Sequence, residues 1–281
     1  MDSFGTRLDR VFEARGQLCL GIDPHPFLLA DWGLEDSATG VREFGLRAVG
    51  AAAGIVGIIK PQVAFFERHG SAGYAALEAV LTAARTAGLL VIADVKRGDL
   101  GTSVAAYARA WLTPGSTLEV DAMTMVAYQG VGSLAEPIAL ATETGKGVFL
   151  LAATSNPEAV ETQTALRQEG RFAGSTVAAG IVGEVDELNP SGALGSVGVV
   201  IGATVKLDDY GIGVGRLAFT PILAPGFGEQ GAQLANVSGI YGDASRNAIV
   251  SVSRSALRAG PRGLAAELTT FARTLGETLT R

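Results

Sequence analysis

Leu89-Leu-Val-Ile-Ala-Asp-Val-Lys-Arg-Gly-Asp99 begins with five uninterrupted apolar residues and then turns abruptly to charge. A strand with one wet face alternates apolar and polar residues. A continuous run is what a strand buried on both faces needs, as in a parallel sheet covered by helices. Val197-Gly-Val-Val-Ile201 reads the same way. Runs of this kind recur eight times, over residues 18–23, 55–60, 89–94, 120–126, 147–152, 197–202, 219–223 and 248–252. Their starts lie on average about 33 residues apart, the length taken by a strand, a loop, a helix and a return loop.

Amphipathic patterns between the runs predict helices over 39–54, 73–87, 103–111, 134–144, 159–188 and 264–279. Residues 204–217, with Gly211-Ile-Gly-Val-Gly215, read as loop, and 228–241 support only a short helix. Eight βα units predict an α/β fold, a single (β/α)8 TIM barrel over residues 1–281. An open doubly wound sheet is the alternative. Successive units share no side-chain pattern, which argues against a solenoid.

Composition narrows the function classes. The chain is 48% hydrophobic and 18% charged, with mean hydropathy +0.31, which excludes intrinsic disorder. A formal charge of −6 repels phosphate backbones, so nucleic-acid binding is not expected. The longest uncharged apolar run, 48–59, is shorter than the roughly 20 residues that span a bilayer, so no membrane partner is expected. The first ten residues mix acids and bases without an apolar block, unlike a signal peptide. The single Cys19 cannot form an internal disulfide, and with the missing leader this predicts a cytoplasmic protein. His25 and His69 are too few for a His-rich metal centre and read as loop histidines.

In a barrel the chemistry lies where the strands end. The first run ends in Asp23, the second in Lys60, the third in Asp94 and Lys96 with Asp99 beyond, and the last in Ser253-Arg254. Residues i and i+2 of a strand share a face, so Asp94 and Lys96 should both face the barrel mouth. With Lys60 and Asp99 they form an alternating Lys–Asp–Lys–Asp set, each ammonium keeping a carboxylate ionised. Singly, each has a plainer reading: Asp-x-Lys as a strand ion pair, Asp23-Pro24 as a turn, Lys60-Pro61 as a strand cap. Pro225-Gly-Phe-Gly228 and Ser253-Arg254 occupy the place where barrels often hold phosphate. Glycine backbone there can approach an anion and a guanidinium can clamp it.

Gly21-Ile-Asp-Pro24, Ile59-Lys-Pro61, Asp94-Val-Lys-Arg-Gly-Asp99, Ala153-Thr-Ser-Asn-Pro157, Leu223-Ala-Pro-Gly-Phe-Gly-Glu-Gln-Gly231 and Val252-Ser-Arg-Ser255 together resemble the orotidine 5′-phosphate decarboxylase family, in its longer, mycobacterial-type bacterial branch. The resemblance runs from about Leu18 to Arg258. It implies a homodimeric barrel with shared active sites that converts orotidine 5′-phosphate to UMP in pyrimidine biosynthesis, without cofactor or metal. By position, it implies that Lys96 protonates C6 beside Asp94, that Asp23 and Lys60 hold the ribose, and that Asp99 reaches the neighbouring subunit's site. Gln230 would contact phosphate and pyrimidine, Arg254 would clamp the phosphate, and Ser103 or Thr102 would supply a hydroxyl across the dimer. Val126-Ala127, Ser253 and Glu229 depart from the family pattern, at positions tied to pyrimidine recognition and loop closure. Two other readings stand beside this one. One is a Mg²⁺-dependent sugar-phosphate decarboxylase or aldolase on a related barrel, against which Lys60 argues, since such sites favour carboxylates. The other is a non-catalytic barrel that binds a phosphorylated metabolite.

Overall fold

Each apolar run becomes a short parallel strand: β1 Leu18–Ile22, β2 Ile58–Pro61, β3 Leu90–Arg97, β4 Ala122–Met125, β5 Gly147–Ala153, β6 Val197–Ile201, β7 Ile222–Pro225 and β8 Ala248–Val252. In the computed structural model, which describes residues 2–279, they pair in chain order and close when β1 meets β8 through Leu18↔Val250 and Leu20↔Val252. Burial on two faces explains the continuous runs. Cys19, Ile58, Ile92, Ala122, Phe149, Leu223 and Ile249 fill the barrel interior. Their chain neighbours Leu20, Ile59, Val91, Met123, Val148, Ala224 and Val250 point outward and pack under the helices.

The predicted helices form as Ala38–Ala52, Gly70–Thr86, Gly101–Leu112, Ala135–Glu143 and Gly260–Leu279. The single helix expected over 159–188 is instead two, Ala159–Gln163 and Val177–Leu188. Between them Gly170 and Gly174 take positive φ, 84° and 82°. Leu166 bridges Thr176 antiparallel, and the Thr176 hydroxyl then caps the second helix by accepting from Ala179 N at 2.9 Å. The first helix ends at its C-cap Thr164, and the chain then doubles back in a hairpin held by Arg167 N–H to Ser175 O and Gly174 N–H to Arg167 O, whose turn takes the positive φ that glycine adopts at low cost. Residues 204–217 are a loop, with only the 3₁₀ turns Leu207–Tyr210 and Val214–Leu217. Between β7 and β8 the α-helix is the five-residue Val237–Tyr241.

A helix also precedes β1, Phe4–Arg15, outside the segments whose patterns predict helices. Its apolar residues Phe4, Leu8, Val11 and Phe12 follow helical spacing within an otherwise polar segment. The helix closes the N-terminal end of the barrel. Phe4 and Leu8 are fully buried, and Phe4 meets Phe149 edge to face at 5.8 Å. Burying two such side chains contributes about 3–6 kcal/mol. The close approach depends on Gly5, where a Cβ would lie 2.0 Å from the carbonyl oxygen of Leu194. Gly5→Ala is therefore expected to cost about 1–3 kcal/mol and to lower the thermal midpoint without affecting the opposite end of the barrel. Calorimetry checks this, and an unchanged midpoint would mean the helix docks loosely. Among the described residues no helix is long and apolar enough to cross a membrane.

Candidate active site

The apolar plug at one end leaves charge to collect at the other, where the strands end. The β3–β4 pairing runs Ala93↔Met123 and then jumps to Arg97↔Met125. Asp94, Val95 and Lys96 therefore bulge opposite the single residue Thr124. The bulge turns both Asp94 and Lys96 into the mouth, while Val95 is buried on the outer side. Simple alternation predicts the shared face but not the means. Lys96 is the only non-glycine with positive φ among the described residues, at 46°. A left-handed backbone at such a residue costs about 1–2 kcal/mol.

Asp94 is the hub. Its Oδ1 accepts from Lys96 Nζ at 2.6 Å and from the Thr124 hydroxyl at 3.0 Å. Its Oδ2 accepts from Lys60 Nζ at 3.0 Å and Gln62 Nε2 at 2.9 Å. A carboxylate offers about four lone-pair positions, and all are taken. Burial alone would push the Asp94 carboxyl up, but Lys60 and Lys96 outweigh it and hold the group far below the usual carboxylate range. Burial alone would push Lys60 down, but Asp94 and Asp23 hold its ammonium above the usual lysine value. The two form a buried, fully ionised pair, whereas the Lys96 side chain is 46% exposed toward the mouth.

Asp23 stands beside this group. One carboxylate oxygen accepts from the Ser253 hydroxyl at 2.6 Å. The other, Oδ1, is buried without a hydrogen-bond partner, which leaves an acceptor for a ligand donor. The cleft, of about 270 Å³, is lined by Asp23, Lys60, Gln62, Asp94, Lys96 and Thr124 on one side. On the other stand Leu151, Val200 and Leu223, with Ser155 and Gln230 above. The Ser155 hydroxyl donates to Gln230 Oε1 at 3.1 Å, joining the loops after β5 and β7. Gly226, at φ 113°, leaves room for that amide, since a Cβ there would lie 3.1 Å from Gln230 Oε1.

Five of the residues singled out from sequence thus meet in the cleft: Asp23, Lys60, Asp94, Lys96 and Gln230. Asp99, Ser103 and Arg254 do not line it. Asp99 accepts from the Leu100 backbone N–H at 2.9 Å. Ser103 is exposed on the first turn of its helix. Arg254 begins the short helix Arg254–Leu257 directly after β8. The sequence reading assigned no role to Gln62, Thr124 or Ser155. Gln62 could have been found two residues after Lys60 on the same face. Thr124 offers no such signal, because its position follows from the bulge.

Among the described residues no group of three or more His, Cys, Asp or Glu side chains could hold a metal ion. Cys19 is buried and its thiol is pushed up to about 12, chiefly by burial, so it behaves as a small apolar side chain.

The sequence model of the Orotidine 5′-phosphate decarboxylase / HUMPS family matches residues 16–268. A Streptomyces coelicolor protein named orotidine 5′-phosphate decarboxylase is 47% identical over 262 residues, 93% of this chain and 92% of its own. A Salinispora tropica protein of the same name is 48% identical, with the same shares. A crystal structure from Streptomyces avermitilis aligns at TM-score 0.93 and 44% identity, over 100% of this chain and 97% of that one. The Leishmania donovani OMP decarboxylase structure aligns at TM-score 0.79 and 26% identity, over 99% of both chains.

Proposed function

The chain belongs to the orotidine 5′-phosphate decarboxylase family and is a carboxy-lyase acting on orotidine 5′-phosphate; from that premise we propose that Lys96 protonates C6 of the pyrimidine as CO₂ departs. The supporting observation is the Lys60–Asp94–Lys96 cluster at the mouth.

Cleavage of the C6–carboxylate bond leaves its electron pair in an sp² orbital on C6, where no ring system delocalises it. The site must hold positive charge beside that carbon before the reaction and then supply a proton. The Lys96 ammonium does both. Its proton moves to C6 to give UMP, and the neutral amine regains a proton from solvent through its exposed side. Asp94 is already saturated with donors, so it acts as fixed charge. It aims the ammonium and carries no proton itself.

The free Oδ1 of Asp23 suits a ribose hydroxyl, with Lys60 beside it. Gln230, steadied by Ser155, faces the pyrimidine and phosphate end, and Arg254 after β8 suits the phosphate. Binding energy from the phosphate, far from C6, can then be realised in the transition state. Asp99 and Ser103, or its neighbour Thr102, serve a second copy's site in a homodimer. Leu100 and Tyr128 are 61% and 83% exposed and give that rim an apolar face for the partner. The ammonium groups of Lys60 and Lys96 supply at the mouth the positive charge that a metal would otherwise bring, which suits an enzyme working without metal or cofactor, and a chain whose one thiol is Cys19 suits a reducing cytoplasm.

The test is loss of orotidine 5′-phosphate absorbance with and without EDTA. Equal turnover in both is expected. Activity that vanished with EDTA and returned with Mg²⁺ would favour the metal-dependent reading, although Lys60 Nζ, 3.0 Å from Asp94, stands where a cation on that carboxylate would have to sit. Tight UMP binding without turnover would indicate a binding protein.

The shared site has its own check. Mixing the inactive Lys96→Ala and Asp99→Ala dimers should restore activity, to about a quarter of wild type on random exchange, because each hybrid carries one intact site. No recovery after verified exchange would place Asp99 outside the partner's site.

A further inference from the structure

We infer that Thr124 is a positioning residue for the proton donor, an inference that rests on the role proposed for Lys96. Its side chain is buried, with the residue 1% exposed, and it stands opposite the three-residue bulge of β3. The Lys96 backbone N–H donates to Thr124 Oγ1 at 2.9 Å. An amide N–H can only donate, so the hydroxyl is the acceptor there and its own proton is free to point elsewhere. It points to Asp94 Oδ1, at 3.0 Å. One hydroxyl therefore ties the backbone of the proton donor to the carboxylate that aims its ammonium.

The tie addresses a specific difficulty. Lys96 is held at φ 46°, a conformation that a lysine leaves unless its surroundings fix it. On the strand side its N–H has this hydroxyl as partner. Without the hydroxyl, that N–H is left without its acceptor, and Asp94 Oδ1 keeps only the half-exposed Lys96 ammonium. Asp94 then rotates toward Lys60 and Gln62, which still hold Oδ2, and the ammonium drifts from C6. Displacement by a fraction of an ångström weakens a proton transfer strongly while leaving the distant phosphate and ribose contacts in place.

The experiment compares Thr124→Val, which keeps shape and removes the hydroxyl, with Thr124→Ser, which keeps the hydroxyl and removes the methyl. Steady-state kinetics with orotidine 5′-phosphate are run beside wild type, with circular dichroism to verify folding. The expected result is a kcat about 30- to 100-fold lower for Thr124→Val, with KM within about 3-fold and Thr124→Ser within about 3-fold of wild type in both. If Thr124→Val does not fold, Thr124→Ala replaces it in the same comparison. Three results would overturn the inference: kcat of the hydroxyl-free variant within about 3-fold of wild type, equal losses in both variants, or a rise in KM with kcat intact. Wild-type turnover in the same assay separates the two levels. If wild type does not release CO₂, the decarboxylase reading fails first; if it does and Thr124→Val matches it, only the role of Thr124 falls.

Discussion

Lys96→Ala is expected to lower kcat for orotidine 5′-phosphate by at least about 10⁴-fold, because it removes both the acid and the positive charge beside C6. Each of those contributions alone is worth about 10²-fold or more in other enzymes. UMP should still bind, since Asp23, Lys60 and Gln230 remain in the cleft. Lys96→Arg separates the two effects. It restores a cation, but a guanidinium does not release its proton near neutral pH, so it should recover at most a minor part of the loss. Rapid-quench measurement of CO₂ release, with UMP titration alongside, decides the matter. Near-normal turnover in either variant would mean that C6 takes its proton from another group.

Asp94→Asn should be the most destabilising single substitution in the cleft, by about 3–5 kcal/mol at neutral pH. It leaves Lys60, with a side chain only 7% exposed, as a buried cation facing an amide that offers one acceptor and two unwanted donors. Activity should fall with it, because the Lys96 ammonium loses the group that aims it.

The pH dependence has a definite sign. The folded-state pKa of Asp94 is depressed. Its contribution is therefore fully present above the unfolded value near 4 and is lost as pH falls through the lower folded value. The stability gap between wild type and Asp94→Asn should persist from pH 7 to about pH 5. Below about pH 4 it should narrow by roughly 1.4 kcal/mol per pH unit. Urea unfolding at pH 7 and pH 3 measures both values. A gap under about 1 kcal/mol at pH 7, or one unchanged at pH 3, would show that the pair is not held as described. Removing the stranded cation as well, in Asp94→Asn with Lys60→Met, should recover part of the loss.

The barrel was legible because its strands carry apolar residues on both faces, and the evenly spaced runs left little choice of architecture. The charges at the strand ends were legible for the complementary reason: ionisable side chains ending apolar strands are costly unless they converge. The break between Gln163 and Val177 is less legible, because the flanking segments share helical periodicity and the hairpin that separates them is held by backbone pairing of Leu166 and Arg167 with Ser175 and Thr176. The helix Phe4–Arg15 carries an apolar stripe in the sequence, but the stripe does not say what it covers. Its significance depends on Phe149, Gly147 and Leu194, brought to it from distant strands and loops.

Local patterns of burial and charge along the chain are enough to specify the barrel, the end of it that carries chemistry, and the residue types gathered there. How those groups engage one another is set by contacts between strands far apart in the chain. The bulge that sets three residues of β3 against Thr124, the positive φ of Lys96 and the four donors on Asp94 arise from register between strands. Register is fixed by the packing of the whole sheet, which no local stretch of sequence encodes.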